Sequence, residues 1–298
     1  MDNSKICGGI VLYNPDILLL QKNIDAVLPQ LNCLVLYDNG SRNQQDIMEI
    51  AEQCDRIHFI GSKANKGVAF ALNRINEYAR DHGYQWVLTL DQDSICAPNM
   101  IEQYRKYTGK DKVAILCPFV LNNGKYTVKE YQKLKLPEIT VITQPNDCIT
   151  SAALCNVEII DRIGGYQDNL FIDYVDTEIN CRLMKNGYRI IRVNSTYLLQ
   201  HMGEAKAIPL FEAFYHVTGL NLFRKMKAAS VYSDKRLYYQ ARNSKYVYCR
   251  HKNAGTKLTP LYMYSLFLYD SLFYPISRSR IKMWKNIIKG RCDSADLF

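Results

Sequence analysis

The sequence predicts an α/β fold, with a mostly parallel central sheet and helices on both faces. Three observations carry this. Apolar strand-like runs alternate with helical patterns from Lys5 to Pro118; Pro, Asn, Asp or Gly punctuates the changes; and three of the strand-like runs end in polar residues. Lys5 to Tyr13 is apolar and extended, ending at Asn14-Pro15, and Asp16 opens a helical pattern in Ile17, Leu20, Ile24, Val27 and Leu28 that stops at Pro29. Asn32 to Tyr37 forms the next strand, closed by the turn Asp38-Asn39-Gly40-Ser41, and a polar helix leads to a third strand, Arg56 to Ile60. A helix from Val68 to Asp81, a strand Gln85 to Leu90, a helix near Pro98 to Tyr107 and a strand Val113 to Pro118 continue the alternation.

Right-handed crossovers then bring Tyr13-Asn14, Asp38-Asn39 and Asp91-Gln92-Asp93 to one rim of the sheet, with a crevice where the strand order reverses. Residues 119 to 147 break the rhythm: Asn122-Asn123-Gly124-Lys125 between extended stretches predicts a hairpin excursion. After Gly164-Gly165-Tyr166 come a helix over Val175 to Asn186, a strand Tyr188 to Val193 and an extended piece ending at His201. The expected division is a nucleotide-binding α/β domain over residues 1–208 and a basic, tyrosine-rich helical module over residues 209–298.

With 298 residues, of which 48% are hydrophobic and 22% charged, the chain folds without staples. Its ten cysteines are scattered with no C-x-x-C pair, as expected of reduced core residues in a cytosolic protein. No signal peptide is expected, because Met1 to Lys5 lacks a basic start and Gly8 to Leu12 is a short apolar stretch. Leu258 to Ile276 carries no Lys or Arg, yet Asp270 and two prolines make it a poor membrane span, so an interfacial or packed helix is expected. Residues 219–298 hold 16 Lys and Arg against 4 Asp and no Glu, so this stretch, at +12, outweighs the whole chain's +9. Such a basic module suits an anionic membrane face or a homo-oligomer contact, and leaves open a non-enzymatic nucleic-acid-binding protein as a rival reading.

The densest chemical signal is Leu88-Thr89-Leu90-Asp91-Gln92-Asp93-Ser94, where an apolar strand runs out into two carboxylates. At a sheet rim such carboxylates can hold a divalent cation that also grips phosphate oxygens; a capped turn is the plainer reading of the same triplet. Asp38 reads alone as an Asx turn, but the same rim receives Asn65-Lys66-Gly67-Val68-Ala69, a small-residue loop opening a helix whose free N–H groups would suit an anion. No G-x-G-x-x-G is present, which disfavours a dinucleotide fold, and no basic glycine-rich loop follows Tyr13, which disfavours nucleotidyl transfer. Asp173 and Asp176 stand at the start of a helix, where carboxylates offset the dipole.

The ordered series Ile10 to Asn14, Leu36 to Ser41, Asn65 to Ala69, Trp86 to Ser94, Gly164 to Tyr166, Phe171 to Glu178, Gly187-Tyr188 and Leu199 to Gly203 resembles the family 2 glycosyltransferases of the GT-A fold. The Asp-Gln-Asp-Ser form is most similar to the bacterial rhamnosyltransferase-like branch, and the resemblance spans residues 6 to 205. It implies an inverting hexosyltransferase moving a sugar, L-rhamnose from dTDP-rhamnose or another hexose or N-acetylhexosamine from a UDP-sugar, to a glycan or lipid-linked acceptor in cell-surface polysaccharide synthesis. It implies Mg²⁺ or Mn²⁺ held by Asp93 and Asp91 with His201 nearby, and a nucleotide-sugar pocket formed by Tyr13, Asp38, Asn39, Asn65, Gly67, Asp91 and Gln92. Aligned back from Arg182, Asp176 falls at the catalytic base, with Val175-Asp176 in place of the family's usual Glu-Asp. The partners it implies are the sugar nucleotide and the acceptor, not nucleic acid, and the expected place is the cytoplasm or the inner face of its membrane.

Overall fold

The computed structural model describes residues 4–122, 127–200, 205–220, 223, 228–230, 232–252, 254–273 and 278–298. The chain divides into two compact units, one of Met1–His201 with His251–Thr256 and one of Met202–Arg250 with Lys257–Phe298. Residues 202–208 thus group with the second unit and residues 251–256 with the first.

In the first unit the strands are β1 (Ile6–Leu12), β2 (Cys33–Asp38), β3 (Ile57–Gly61), β4 (Trp86–Asp91), β5 (Ser94–Cys96), β6 (Val113–Asn122), β7 (Ile139–Val141), β8 (Ala153–Asn156) and β9 (Arg189–Gln200). The helices are α1 (Ile17–Val27), α2 (Gln44–Glu52), α3 (Val68–Asp81), α4 (Met100–Arg105), α5 (Val128–Gln132), α6 (Val157–Arg162) and α7 (Val175–Lys185). The sheet runs β3-β2-β1-β4-β8-β6-β9-β5, with β7 on β9; β3, β2, β1 and β4 are mutually parallel, and β8 lies antiparallel between β4 and β6. The chain steps outward from β1 to β2 and β3 and then returns to the other side of β1 with β4. That is the strand-order reversal at which α/β sheets open a binding crevice.

Ile10, Leu12, Leu34, Leu36, Leu88 and Leu90 are buried, because both faces of a parallel sheet are covered by helices. Each such side chain contributes about 1.5–3 kcal/mol over its exposed state, which fixes the strand ends against sliding. Asp16 starts α1, its carboxylate accepting the Leu19 N–H at 3.0 Å. Two expectations need correction. The 119–147 hairpin is replaced, among the described residues, by a continuation of β6 to Asn122, the capped helix α5 and β7, which pairs with β9; the Asn123 to Lys125 turn itself lies outside the described residues. The Thr127-x-x-Glu130 capping box explains α5: Thr127 Oγ1 accepts the Glu130 N–H at 3.2 Å and Glu130 accepts the Thr127 N–H at 2.7 Å. The antiparallel β8 was not expected, since Ala152-Ala153-Leu154-Cys155 carries neither alternation nor flanking breakers.

The second unit holds a short antiparallel pair, β10 (Ala205–Ala207) with β11 (Ala228–Ser230), and the helices α8 (Pro209–Thr218), α9 (Asp234–Arg250), α10 (Pro260–Phe273) and α11 (Arg280–Asp293). The helical character read from Tyr238 to Asn243 and from Arg278 to Arg291 agrees with α9 and α11. These two pack against each other, with Leu237, Ala241, Met283 and Ile287 buried, and are tied by Tyr238 Oη donating to Asp293 at 2.8 Å. Among the described residues, no helix is long and apolar enough to cross a membrane.

Candidate active site

The rim is assembled by hydrogen bonds between strand ends. The Tyr13 N–H donates to Gln92 Oε1 at 2.8 Å, the Asn14 N–H to Ser41 Oγ at 2.8 Å, and the Arg42 N–H to Asn14 Oδ1 at 2.8 Å. Leu12 pairs with Asp38 and Val11 with Asp91 in the sheet register, so both carboxylates leave the core at nearly one level. Asp38 is buried; its oxygens accept the Ser41 N–H at 3.1 Å and Gln44 Nε2 at 3.0 Å. Tyr13, at 48% exposed, leaves its ring open to a ligand while its backbone is fixed.

Asn39 ties the next loop to this rim: its Nδ2 donates to the Gly67 carbonyl at 3.1 Å and its Oδ1 accepts the Lys66 N–H at 2.8 Å. Asn65 Oδ1 accepts the Gly67 N–H at 2.9 Å, and the Val68 N–H donates to the Phe171 carbonyl at 2.6 Å. The loop was expected to offer free N–H groups to an anion, but those of residues 66, 67 and 68 are already satisfied within the protein. It is a strut that joins β2, α3 and the 171–174 segment. Gly67 makes this possible: at φ 93° and ψ 165° it lies where only glycine is comfortable, and a Cβ there would stand 2.6 Å from the Phe171 carbonyl oxygen.

The strut seats the approach to α7. Phe171, Asp173 and Tyr174 all have positive φ, at 66°, 63° and 63°, each costing about 1–3 kcal/mol in a non-glycine residue. Such strain persists only where surrounding contacts over-determine it, and here it delivers Asp176 in the first turn of α7. Asn180 Nδ2 donates to the carbonyls of Pro145 and Cys148, both at 2.8 Å, so the 145–151 segment holds α7. Ser151 ends that segment, its Oγ accepting the Asp91 N–H at 3.1 Å and donating to Ser94 Oγ at 3.0 Å.

Asp91, Asp93 and Asp176 therefore share one electrostatic environment. Burial pushes the Asp91 carboxyl up to about 6, and the like charges of Asp93 and Asp176 push in the same direction against hydrogen bonds from Gln200 and Ser151. Burial likewise raises Asp176 to about 6, with Asp173 adding to it and the Thr177 N–H, 2.7 Å from Oδ1, opposing. Gln200 reaches Asp91 because β5 pairs antiparallel with β9, Ser94 opposite Gln200. His201, the next residue, lies outside the described residues.

Glu178, two residues past Asp176, does different work. It is buried, accepts Arg182 Nη2 at 2.7 Å, and lies 3.2 Å from His251 Nε2. Burial pushes its carboxyl up, but His251 and Arg182 more than offset this and hold it below the usual range. Arg182 also donates to the carbonyls of Ile163 and Gly165 at 2.7 and 2.6 Å, locking the Gly164-Gly165 turn to α7. Ser151, Gln200 and His251 escaped sequence reasoning, because nothing local distinguishes a serine before a small-residue run or a histidine some 70 residues from its partner. The signal available for Gln200 was its place next to His201.

The donors at this rim are hard oxygens, the type that Mg²⁺ and Mn²⁺ prefer. Among the described residues no three His, Cys, Asp or Glu side chains form a preassembled cage. One or two carboxylates can hold such a cation when phosphate oxygens and water complete its shell.

Residues 9–164 match the sequence profile "Glycosyl transferase family 2", which is more than half of the chain. A dTDP-rhamnosyl transferase, RfbF of Shigella flexneri, is 24% identical over 98% of this chain and 95% of its own. The crystal structure of GalNAc-T7 with UDP, GalNAc and Mn²⁺ superposes with a TM-score of 0.56 at 13% identity, covering 99% of this chain, which spans only 57% of that one. S. aureus TarS aligns at a TM-score of 0.48 and 15% identity, over 98% of this chain and 91% of its own. The chain belongs to glycosyl transferase family 2 and is a glycosyltransferase of the GT-A fold.

Proposed function

We propose that the protein is a metal-dependent, inverting glycosyltransferase that moves L-rhamnose from dTDP-rhamnose to a glycan or lipid-linked acceptor in cell-surface polysaccharide assembly. The observation that carries the reading is the place of Asp91 at the end of β4 beside β1, where the strand order reverses, with Asp93 and Asp176 near enough for their charge to raise its carboxyl. The rhamnosyl donor is supported by the Shigella relative, similar along nearly the whole chain.

In this reading Asp38 receives the base and ribose edge, with Asn39, Asn65 and Gly67 shaping the pocket wall and the exposed Tyr13 ring covering the nucleoside. Gln92 fixes the Tyr13 backbone and so sets the pocket mouth. Asp93 and Asp91 would hold Mg²⁺ or Mn²⁺, with His201 the third candidate. A bound divalent ion neutralises charge that develops on the leaving diphosphate.

The remaining chemistry belongs to Asp176. Its ionised carboxylate accepts the proton of the acceptor hydroxyl as that oxygen bonds to the anomeric carbon and the bond from that carbon to phosphate breaks. The sugar ends on the acceptor with inverted configuration, and the nucleoside diphosphate departs. A carboxyl at about 6 serves well as a base near neutral pH, being mostly ionised yet more basic than a solvated aspartate.

The test is a donor panel of dTDP-rhamnose, UDP-galactose and UDP-N-acetylglucosamine, assayed for Mg²⁺-dependent hydrolysis and transfer. Selective turnover of dTDP-rhamnose supports the proposal, turnover of a UDP-sugar redirects the donor, and no metal-dependent turnover of any donor rejects it.

A further inference from the structure

Helix α10 is apolar on its outward face as well as its buried one, where Met263 and Phe267 lie. Its one charged residue, Asp270, is buried, while Leu261, Leu268 and Leu272 are 83%, 56% and 66% exposed. They recur at helical spacing with Tyr262 and Tyr264, also exposed, so the outward face is an uncharged stripe. Helix α11 runs beside it: Trp284 Nε1 donates to Ser271 Oγ at 3.1 Å, and the Arg291 guanidinium stands 4.7 Å above the Tyr264 ring. From Arg278 to Arg291 there are six basic residues and no acidic one, and exposed Ile281 and Ile288 sit among them.

We propose that α10 and α11 form a docking surface for an anionic phospholipid bilayer. Leucines with tyrosines at the flank suit the boundary between headgroup and acyl chain, and the lysines and arginines beside them suit anionic headgroups. Charge complementarity selects this occupant. A second copy would bring another +12 stretch against the first, which disfavours self-association through this face. A nucleic acid would match the charge but leave the exposed leucines in water. At 14 residues, α10 is too short to span a bilayer, so it lies in the interface.

The surface does not depend on the assignment of donor, metal or base, and its test uses no activity. The full chain is floated with neutral phosphatidylcholine vesicles or with vesicles containing phosphatidylglycerol, at low and high salt. Comparison variants are Leu261→Ser/Leu268→Ser/Leu272→Ser and Lys285→Glu/Lys289→Glu, both at exposed positions. Binding selective for the anionic vesicles, weakened by salt and reduced at least tenfold by either variant, is expected, since each basic residue near such a surface is worth about fivefold in affinity. The proposal is overturned by any of three results: no enrichment on anionic vesicles, equal binding by variants with unchanged melting, or a dimer dissolved by the leucine variant in a protein that ignores vesicles. Tight oligonucleotide binding that survives the leucine variant, without vesicle binding, overturns it as well.

Discussion

Asp176→Asn is the sharpest perturbation of the proposed chemistry. With its carboxyl at about 6, Asp176 is about nine-tenths ionised at pH 7 and about one-tenth ionised at pH 5. The rate should therefore fall roughly ninefold between those values, with the base lost as pH drops. Because Asp91 also lies at about 6 and feels Asp176, the acid limb reports the pair rather than one group. Asparagine preserves size but accepts no proton, so transfer should drop by about 10²–10⁴, or about 3–5 kcal/mol of barrier. Donor affinity should change little. Thr177→Val removes the 3.3 Å hydroxyl bond that favours the ionised form, and should move the acid limb toward higher pH. Initial rates from pH 5 to 8, with calorimetric donor titrations, separate these effects. Transfer by Asp176→Asn within tenfold of the natural protein, or a loss matched by an equal loss of donor affinity, refutes the assignment.

Gly67→Ala places a Cβ 2.6 Å from the Phe171 carbonyl oxygen and should lower stability by about 1–3 kcal/mol or more, whereas Gly83→Ala, with φ 72° but open space, should cost less; thermal melting of both checks the strut. Glu178→Gln leaves Arg182 and His251 without their buried carboxylate and should cost about 3–5 kcal/mol at pH 7. Since the folded-state value of Glu178 is lowered, that penalty should be full above the ordinary carboxylate range and fade as pH falls through it, as melting at pH 4 and 7 would show. Asp270 is the opposite case: burial raises it from 3.8 to about 6 and its Oδ2 has no hydrogen-bond partner among the described residues, so Asp270→Asn should raise the melting temperature above pH 6 and lose that advantage toward pH 4.

The parallel half of the sheet was legible because its strands are apolar runs closed by Asn-Pro, Asp-Asn-Gly or Asp-x-Asp, and α3 fell at its expected bounds. What remained hidden depends on pairing across long stretches of chain. The antiparallel β8 is too short to show a period, and its role in presenting Ser151 to Asp91 appears only once β4 and β8 are adjacent. The internal bonding of the Asn65 to Ala69 loop is hidden for a related reason. Sequence shows a helix N-terminus, but not that Asn39, Asn65 and Phe171 already occupy the N–H groups of residues 66, 67 and 68. The inward turn of Asp270 could not be read from a helix apolar on every side.

In the proposed function, acidic side chains from β4 and its following turn act through a cation on a nucleotide's diphosphate. Calorimetric titration of dTDP into the protein and into Asp93→Asn, each with and without Mn²⁺, measures this directly. Affinity should rise at least tenfold with Mn²⁺ in the natural protein, about 1.4 kcal/mol, and the gain should vanish in Asp93→Asn. Equal affinity with and without the ion, or a gain that survives the substitution, would contradict the account.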